Sequence, residues 1–352
     1  MADVDDATLE IPELDERKVR ILRAIVTEYV ANGEPVGSRR VVEAAGLDVS
    51  AATVRNEMAA LEKLGYIEQP HTSAGRVPAD LGYRYFVDEL RQNPAVPEPR
   101  REVVGELLGN ARDLEDLLAR TTNVLSQLTR LVSLVIAPAL DTSRLKLIEL
   151  VTLTPQSALL LMVADTGRVD KRLVELPSPV SDRDVERVRS VLNEHVRGKR
   201  MSDVNAAVED LTDEAPSELV GIIQAVVDAT AEGIVEDPIR TVYVGGQASL
   251  AGERSFEREQ LTRLLELLEE RSTLARLLDE ATTTADEPAV RIGDEVDLDG
   301  LSTASLVAQR YRLVTSGSLG VLGPTRMDYA SVLSTVRAVA DQLQQTLSDL
   351  SE

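Results

Sequence analysis

The sequence contains no cysteine and no tryptophan, and only 3% of its residues are aromatic. The lack of cysteine excludes disulfides, thiolate metal sites and a cysteine nucleophile. The shortage of aromatics leaves Leu, Val, Ile and Ala to fill the cores. No apolar run approaches the ~20 residues that a membrane helix needs, and the acidic first ten residues lack the basic and apolar regions of an export signal. We therefore expect a cytoplasmic protein without a membrane span.

The acidic residues are unevenly distributed. The chain has a net charge of -22, but residues 15–91 contain 11 basic and 12 acidic residues. Residues 1–14 contribute -5, and the part of the chain after residue 91 contributes -16. Because the DNA backbone is a dense polyanion, residues 15–91 are the part of the chain most compatible with nucleic acid.

The N-terminal region has the pattern of a winged helix-turn-helix domain, with the order helix, helix, turn, helix, hairpin. Apolar residues recur at three- and four-residue steps in the first segment, which Asp15 is predicted to cap. Ser38 is predicted to cap the second helix and Ser50 the third. Two short strands flank a loop tip, and a fourth helix is predicted over residues 79–90.

The rest of the chain predicts a mixture of helices and strands. Its length of 352 residues exceeds the ~250–300 at which a single core stops growing, so two or three domains are expected. A linker with three prolines precedes one long amphipathic helix, predicted from Glu102 to Ile136. Strand-like runs at 145–154, 158–164 and 169–176 indicate an antiparallel meander. We then expect helical structure at 182–233, a strand at 241–245, a helix at 256–281, strands at 290–292, 306–314 and 320–322, and a last helix at 328–350.

The third predicted helix has one apolar and one polar side. Val54, Met58 and Leu61 lie on the first, and Asn56 lies on the second with Arg55 beside it. Asn and Arg can bond adenine and guanine bidentately in the major groove, whereas hydroxyls and cations nearby could bind phosphates. A polar helix face alone would be only solvated, but the preceding helix, the turn and the following hairpin favour DNA binding. The candidate DNA-binding residues are Ser38, Arg39, Ser50, Ala52, Thr53, Arg55, Asn56, Lys63, Thr72, Ser73 and Arg76.

Several strings of residues are distinctive. They are PVGS at 35–38, SAATVRNEM at 50–58, HTSAGRVP at 71–78, GYR at 82–84, DTGRV at 165–169, VYVGG at 242–246 and GVLGPTRMDY at 320–329. Together they closely resemble the HrcA family of heat-inducible transcription repressors, over nearly the whole chain.

The resemblance implies an α+β fold with an N-terminal winged helix, and a GAF-like domain interrupted by an inserted, mostly helical dimerisation domain. It implies binding as a homodimer to an inverted-repeat operator before chaperone genes, relief on heat stress, and assistance from a GroEL-type chaperonin. The expected division is a disordered acidic tail at 1–14, the winged helix domain at 15–91, a linker at 92–101, the GAF-like domain at 102–176 and 239–352, and the inserted domain at 177–238.

The expected insertion also has a helical pattern between strand-like neighbours, and prolines at both junctions. Its apolar residues are dense enough to form a face, and we expect that face to supply the dimer contacts. They are Leu219, Ile222, Ile223, Val226 and Val227.

Other classes of function are less well supported. Gly317, Gly320 and Gly323 fit neither the dinucleotide-binding nor the P-loop spacing, and no nucleophile elbow, metal cluster or Walker loop is present. We therefore expect no enzyme, no cofactor and no metal, and His71 has no ligand cluster beside it. The alternative is a ligand-responsive winged-helix regulator of metabolic genes, because GAF-like domains often bind small molecules. A purely structural partner would show no sequence-selective DNA binding.

Overall fold

The computed structural model describes residues 14–71, 74–92, 101–109, 111, 113–138, 143–234, 241–252, 255–283, 287–298, 300–312 and 316–351. These residues are a mixture of helices and strands, in agreement with the α+β prediction. The chain divides into two compact units. The first contains residues 1–97, 292–305 and 323–332, and the second contains residues 98–291, 306–322 and 333–352.

The first unit begins with four helices and a short antiparallel hairpin, in the predicted order. The elements are α1 (Glu16–Asn32), α2 (Ser38–Ala45), α3 (Ala51–Lys63), β1 (Ile67–Glu68), β2 (Val77–Pro78) and α4 (Asp80–Gln92). Helix α1 is central, since it contacts α2, α3, α4 and β2. Its side chains Ile21, Leu22, Ile25 and Val26 are almost completely buried. Burial of one apolar stripe is what stabilises a helix in a domain of this size.

The helix caps explain where these elements begin. The Asp15 side chain accepts a hydrogen bond from the Lys18 backbone N–H at 2.9 Å, and Ser50 accepts one from the Thr53 N–H at 3.1 Å, so both predicted caps are confirmed. The prediction for Ser38 is wrong. Gly37 occupies the cap position of α2, because its extended backbone (φ -86°, ψ 152°) is the conformation that a cap requires, and Ser38 is already helical.

The remaining elements follow in chain order. They are α5 (Arg101–Leu108), α6 (Leu114–Thr129), β3 (Val132–Ile136), β4 (Leu145–Thr154), β5 (Ser157–Ala164), β6 (Val169–Glu175), α7 (Asp182–Val196), α8 (Val204–Glu214), α9 (Ser217–Ile234), β7 (Val242–Gly245), α10 (Arg258–Glu269), α11 (Arg271–Thr282), β8 (Ala289–Ile292), β9 (Ala304–Arg312), β10 (Ser316–Pro324) and α12 (Tyr329–Ser351). No helix in the described part of the chain is both long and apolar enough to cross a membrane.

A five-stranded sheet has the strand order β7-β3-β10-β9-β8, with β3 antiparallel to both of its neighbours. The single helix predicted from Glu102 to Ile136 is therefore wrong. Asp113 caps a new helix, and Arg130 ends it in a left-handed conformation (φ 58°). All five residues of β3 are buried. From sequence alone, a short apolar run that is buried on every side is compatible with either a helix or a strand. Pairing with β7 and β10 makes this run a strand. The helix predicted at 256–281 is likewise divided into α10 and α11 at Glu270.

A separate three-stranded sheet has the order β4-β5-β6. One of its faces shares a core with α7, α8 and α9, in which Ile148, Leu160, Val188 and Ile223 are completely buried. The Asn193 amide accepts a hydrogen bond from the Ile148 N–H at 2.9 Å and donates one to the Ile148 carbonyl at 2.7 Å, which joins α7 to β4.

This sheet changes the expected insertion in two respects. The strands at 145–175, which we assigned to the GAF-like domain, form no part of the five-stranded sheet and belong with the helices of 182–234. The five apolar residues expected to form a dimer face are at most 7% exposed, because they fill the core under the sheet. They are Leu219, Ile222, Ile223, Val226 and Val227. The helical face is therefore not available to a second copy.

Candidate nucleic-acid interface

Helix α3 buries one side and exposes the other, as its sequence predicts. Val54, Met58 and Leu61 are 0–4% exposed, whereas Arg55 and Asn56 are exposed. The remaining exposed candidates on this helix are Ala52 and Lys63. The two side chains that could bond base edges thus lie next to each other on the solvent side of a rigidly packed helix.

The N-terminus of α3 has two hydroxyl groups close together. The Ser50 Oγ caps the helix through the Thr53 N–H and lies 3.0 Å from the Thr53 Oγ1. The first N–H groups of a helix and its dipole favour an anion at this end. Ser50 and Thr53 are therefore arranged as groups that could contact a phosphate while they keep the helix capped.

Carboxylates on α3 are neutralised by basic residues from neighbouring elements. Glu57 is 3.4 Å from both the Arg17 Nη1 and the Lys18 Nζ, so α1 and α3 are joined by charge. Glu62 accepts two hydrogen bonds from Arg76, at 3.1 Å from Nε and 2.9 Å from Nη2. Both carboxylates would repel DNA phosphates if they were unpaired.

Arg76 has a structural function that the sequence did not indicate. Besides its ion pair with Glu62, its backbone forms an antiparallel bridge with Val36, with N···O distances of 2.8 and 3.0 Å. At the adjacent Gly75, an added Cβ would lie 2.5 Å from the Val36 carbonyl carbon and oxygen. The hairpin is thereby fixed to both α3 and the segment between α1 and α2.

Three of the candidate basic residues have no such partner. Arg39, Arg55 and Lys63 are exposed, and none of them makes an ion pair with another residue in the described part of the chain. Other cations of the first unit are engaged, for example Arg40 with Glu28. These three unpaired positive charges thus lie among the residues predicted to bind DNA.

The other candidates are placed as follows. Ser38 lies half-exposed in the first turn of α2. Thr72 and Ser73 lie outside the described residues. His71 is exposed, and its carbonyl accepts a hydrogen bond from the Ala74 N–H at 2.9 Å in the loop of the hairpin.

The sequence interpretation missed Glu57 and Glu62 as residues that position α3. A signal was present, because two carboxylates on a helix expected to meet a polyanion are unfavourable unless cations neutralise them. Which cations do so could not be deduced, since the partners lie on other elements.

Comparisons with known proteins identify relatives along the whole chain. A family described as the HrcA protein C-terminal domain matches residues 115–333. A heat-inducible transcription repressor HrcA from Parafrankia sp. (strain EAN1pec) is 41% identical over 336 residues, which cover 95% of this chain and 99% of the relative. The protein of the same name from Acidothermus cellulolyticus is 42% identical over 338 residues, with 96% and 99% coverage.

A solved structure described as a hypothetical protein at 2.2 Å resolution has the same fold. Its TM-score with this chain is 0.68 at 23% sequence identity, and the match covers 96% of this chain and 99% of the other. At this identity the likeness establishes the fold alone.

The pair of Arg76 and Glu62 provides a test of how the hairpin is fixed. We expect Arg76→Ala and Glu62→Ala each to lower the local free energy of opening of β1 and β2, with a coupling of about 0.5–1 kcal/mol in the double mutant, since the pair is only partly exposed. Native-state hydrogen exchange of the strand amides measures it. The exposed pair of Arg40 and Glu28 is the control, with a smaller coupling. Strictly additive effects for Arg76 and Glu62 would contradict this interpretation.

Proposed function

The chain belongs to the HrcA family of heat-inducible transcription repressors, and we propose that it represses heat-shock genes by binding an inverted-repeat operator as a homodimer. Repression is relieved on heat stress. The winged helix formed by α1–α4 and the hairpin provides the DNA contact, and the separate sheet β4–β6 provides the dimer contact.

The observation that carries the DNA contact is the pairing of charges in the first unit. The chain has 60 acidic and 38 basic residues. Arg39, Arg55 and Lys63 make no ion pair among the described residues, while Glu57 and Glu62 are neutralised. Helix α3 therefore carries unpaired positive charge on an acidic protein, which favours contact with a polyanion.

Within the interface the proposed functions differ. Arg55 and Asn56 read base edges from α3, as their side chains can bond guanine and adenine bidentately. Arg39 and Lys63 bind phosphates, and the hydroxyls of Ser38, Ser50 and Thr53 assist them. Ala52 lets the helix backbone approach the groove. Thr72, Ser73 and Arg76 are proposed as backbone contacts of the wing, and Arg76 makes its contact while bound to Glu62 or after exchanging it for a phosphate.

Single substitutions test the assignment of base-reading residues. We expect Arg55→Ala or Asn56→Ala to remove ~1–3 kcal/mol of discrimination between the operator and random DNA, because a bidentate base contact is lost. Lys63→Ala should weaken binding to both DNAs equally and lower the salt slope by about one. Competition gel shifts with the inverted repeat upstream of the chain's own gene measure both quantities.

Arg23→Ala is the matched control for these variants, because Arg23 forms an ion pair with Glu89 away from α3. It should leave operator selectivity unchanged. If Arg55→Ala and Asn56→Ala retain wild-type selectivity, α3 does not read the sequence.

The dimer contact is proposed on the outer face of the three-stranded sheet. The register aligns Val151, Leu159 and Leu173 in one row across the strands, and Leu147, Val163 and Val169 in another. Large apolar side chains of this face are 37–60% exposed, namely Leu147, Val151, Leu153, Val169 and Leu173. The row between these two rows contains Glu149, Leu161 and Lys171. A monomer rarely exposes two such aliphatic rows on one face.

A second copy of the chain suits this face for a reason of symmetry. An inverted-repeat operator requires two α3 helices at a spacing of one or more turns of DNA, which a two-fold dimer provides. In a two-fold interface the same patch contacts itself. Aliphatic rows can pack against their own copies, and Glu149 and Lys171 supply opposite charges between them. The helices under the sheet cannot serve, since their apolar side chains are buried in its core.

Charged substitutions on the sheet test the dimer contact. Leu173→Asp, at a residue 60% exposed, should fold normally and elute as a monomer, because a dimer through this face would bury an unpaired carboxylate from each copy. The monomer should bind a half-site weakly and lose tight binding to the full operator. Light scattering measures the mass, and Leu265→Asp on α10, 45% exposed, is the control that should remain dimeric. A dimer of Leu173→Asp would exclude this sheet face as the interface.

Deletion of the gene tests the cellular function. Chaperone transcripts should rise at normal growth temperature, because the operators are then unoccupied, and a wild-type copy should restore repression. A copy with both Arg55→Ala and Asn56→Ala should not restore it. Unchanged chaperone transcripts in the deletion strain would refute heat-shock repression and leave only DNA binding to be explained.

A further inference from the structure

The compact unit that contains α1–α4 also includes two segments from the far end of the chain, residues 292–305 and 323–332. The first connects β8 to β9, and the second connects β10 to α12. We call them the C-terminal segments. Nothing in the sequence interpretation placed them with the N-terminal helices.

Arg326 of the second segment contacts the end of α1. Its guanidinium carbon lies 5.8 Å from the centre of the Tyr29 ring, within the range of a cation–π interaction. It also lies against Gly33, the left-handed residue that ends α1, where an added Cβ would be 1.9 Å from the Arg326 Nη1. The carbonyl groups at a helix C-terminus favour a cation. Arg326 makes no ion pair with any residue that the structure describes, so its charge is directed at α1.

Glu295 of the first segment contacts α4. Its Oε1 accepts a hydrogen bond from the Arg84 Nε at 2.9 Å, and its Oε2 accepts a second one from Nη2. The same carboxylate accepts the Ile292 backbone N–H at 2.9 Å, which orients it. A bidentate arginine pair held by a third bond is among the stronger polar contacts in proteins.

Two buried tyrosines join both segments to α4. The rings of Tyr83 and Tyr329 are 5.8 Å apart, and burial raises the pKa of each hydroxyl above its usual value, so both remain neutral. The Tyr329 hydroxyl donates to the Thr325 carbonyl at 2.8 Å and lies 2.8 Å from the Ser305 Oγ. Because Tyr329 has only one proton to donate, Ser305 is the donor to it. Residues of 292–305 and of 323–332 are thereby linked on the surface of α4.

We propose that Arg326 and Glu295 are positioning residues through which the C-terminal segments hold α1 and α4 in the arrangement that supports α3, so that DNA affinity depends on these segments remaining folded. The path is short. Arg326 contacts the C-terminus of α1, α1 contacts α3, and the charges of Arg17 and Lys18 join them at Glu57. The expected effect on operator affinity rests on the proposed function. The stabilisation of α1 and α4 by Arg326 and Glu295 does not.

The segments also supply a physical route for release by heat. Each is continuous with strands or a helix at both ends, and its contacts with α1 and α4 include Arg326, Glu295 and the buried Tyr329. Local opening of these elements, which costs less free energy than global unfolding, withdraws Arg326 from α1 and Glu295 from α4 and thereby lowers operator affinity.

Arg326→Met in the full-length protein tests the proposal. It retains most of the aliphatic volume and removes the charge. Amides of α1 should exchange faster by about five- to thirtyfold, and operator affinity should fall by a similar factor. Amides of α7–α9 and the dimer mass should not change. Arg326→Lys, which retains a cation over Tyr29, should recover part of both losses, and Arg263→Met on α10 is the matched control.

Two glycines offer a second test within one unit. Gly33 and Gly46 both end a helix in a left-handed conformation, with φ of 71° and 56°, but the position of a Cβ on Gly46 is open. Alanine at either position incurs the backbone cost, whereas Gly33→Ala also displaces Arg326. Gly33→Ala should therefore reduce α1 protection more than Gly46→Ala does, and the excess should disappear in the Arg326→Met background.

The readouts separate the two ideas. Hydrogen exchange is measured without DNA, so faster exchange of α1 amides in Arg326→Met supports the proposal by itself. Failure of the wild-type protein to bind the operator would refute only the proposed function. Wild-type exchange of α1 amides in Arg326→Met would overturn the proposal, as would an excess of Gly33→Ala over Gly46→Ala that persists without Arg326.

Discussion

For the proposed DNA contact, repulsion between carboxylates and phosphates is the constraint on which the arrangement of α3 and its neighbours depends. An acidic protein can approach DNA only where its own negative charge has been neutralised. On α3 this is achieved by fixed ion pairs of Glu57 with Arg17 and Lys18, and of Glu62 with Arg76. The same pairs attach α3 to α1 and to the hairpin. The ion pairs that neutralise the carboxylates of α3 therefore also fix the position of the helix.

The three-stranded sheet β4–β6 is subject to a different constraint, because both of its faces carry apolar side chains that must be covered. Its inner face is covered by α7–α9, and the core they share is complete without the five-stranded sheet. The outer face has aliphatic rows, and five of its large apolar residues remain 37–60% exposed among the described residues. The three-stranded sheet thus has one buried face and one exposed face with aliphatic rows. In the proposed dimer a second copy covers the exposed face, and the two sheets pack face to face.

Sequence patterns predicted the N-terminal elements well because amphipathic periodicity and capping residues are local signals. Asp15 and Ser50 cap helices as expected, and α3 buries Val54 and Met58. The patterns failed where a decision depended on distant residues. The run at β3 is a strand only because two other strands flank it, and alternation in β4–β6 does not reveal which sheet the strands join. Contacts such as Arg76 with Glu62, or Arg326 with Tyr29, have no signature in spacing.

The composition of the first unit has a consequence for protein synthesis. Residues 14–92 leave the ribosome first, but the unit they belong to also contains residues 323–332. At about 5–20 residues per second, translation of the intervening chain takes roughly 10–50 s. Throughout that interval Tyr29 and Gly33 lack their contact with Arg326, and Arg84 lacks its hydrogen bonds with Glu295. A nascent chain that stops before residue 323 is thus structurally incomplete in its first unit, and the cell acquires the finished unit only after residues 323–332 have been translated.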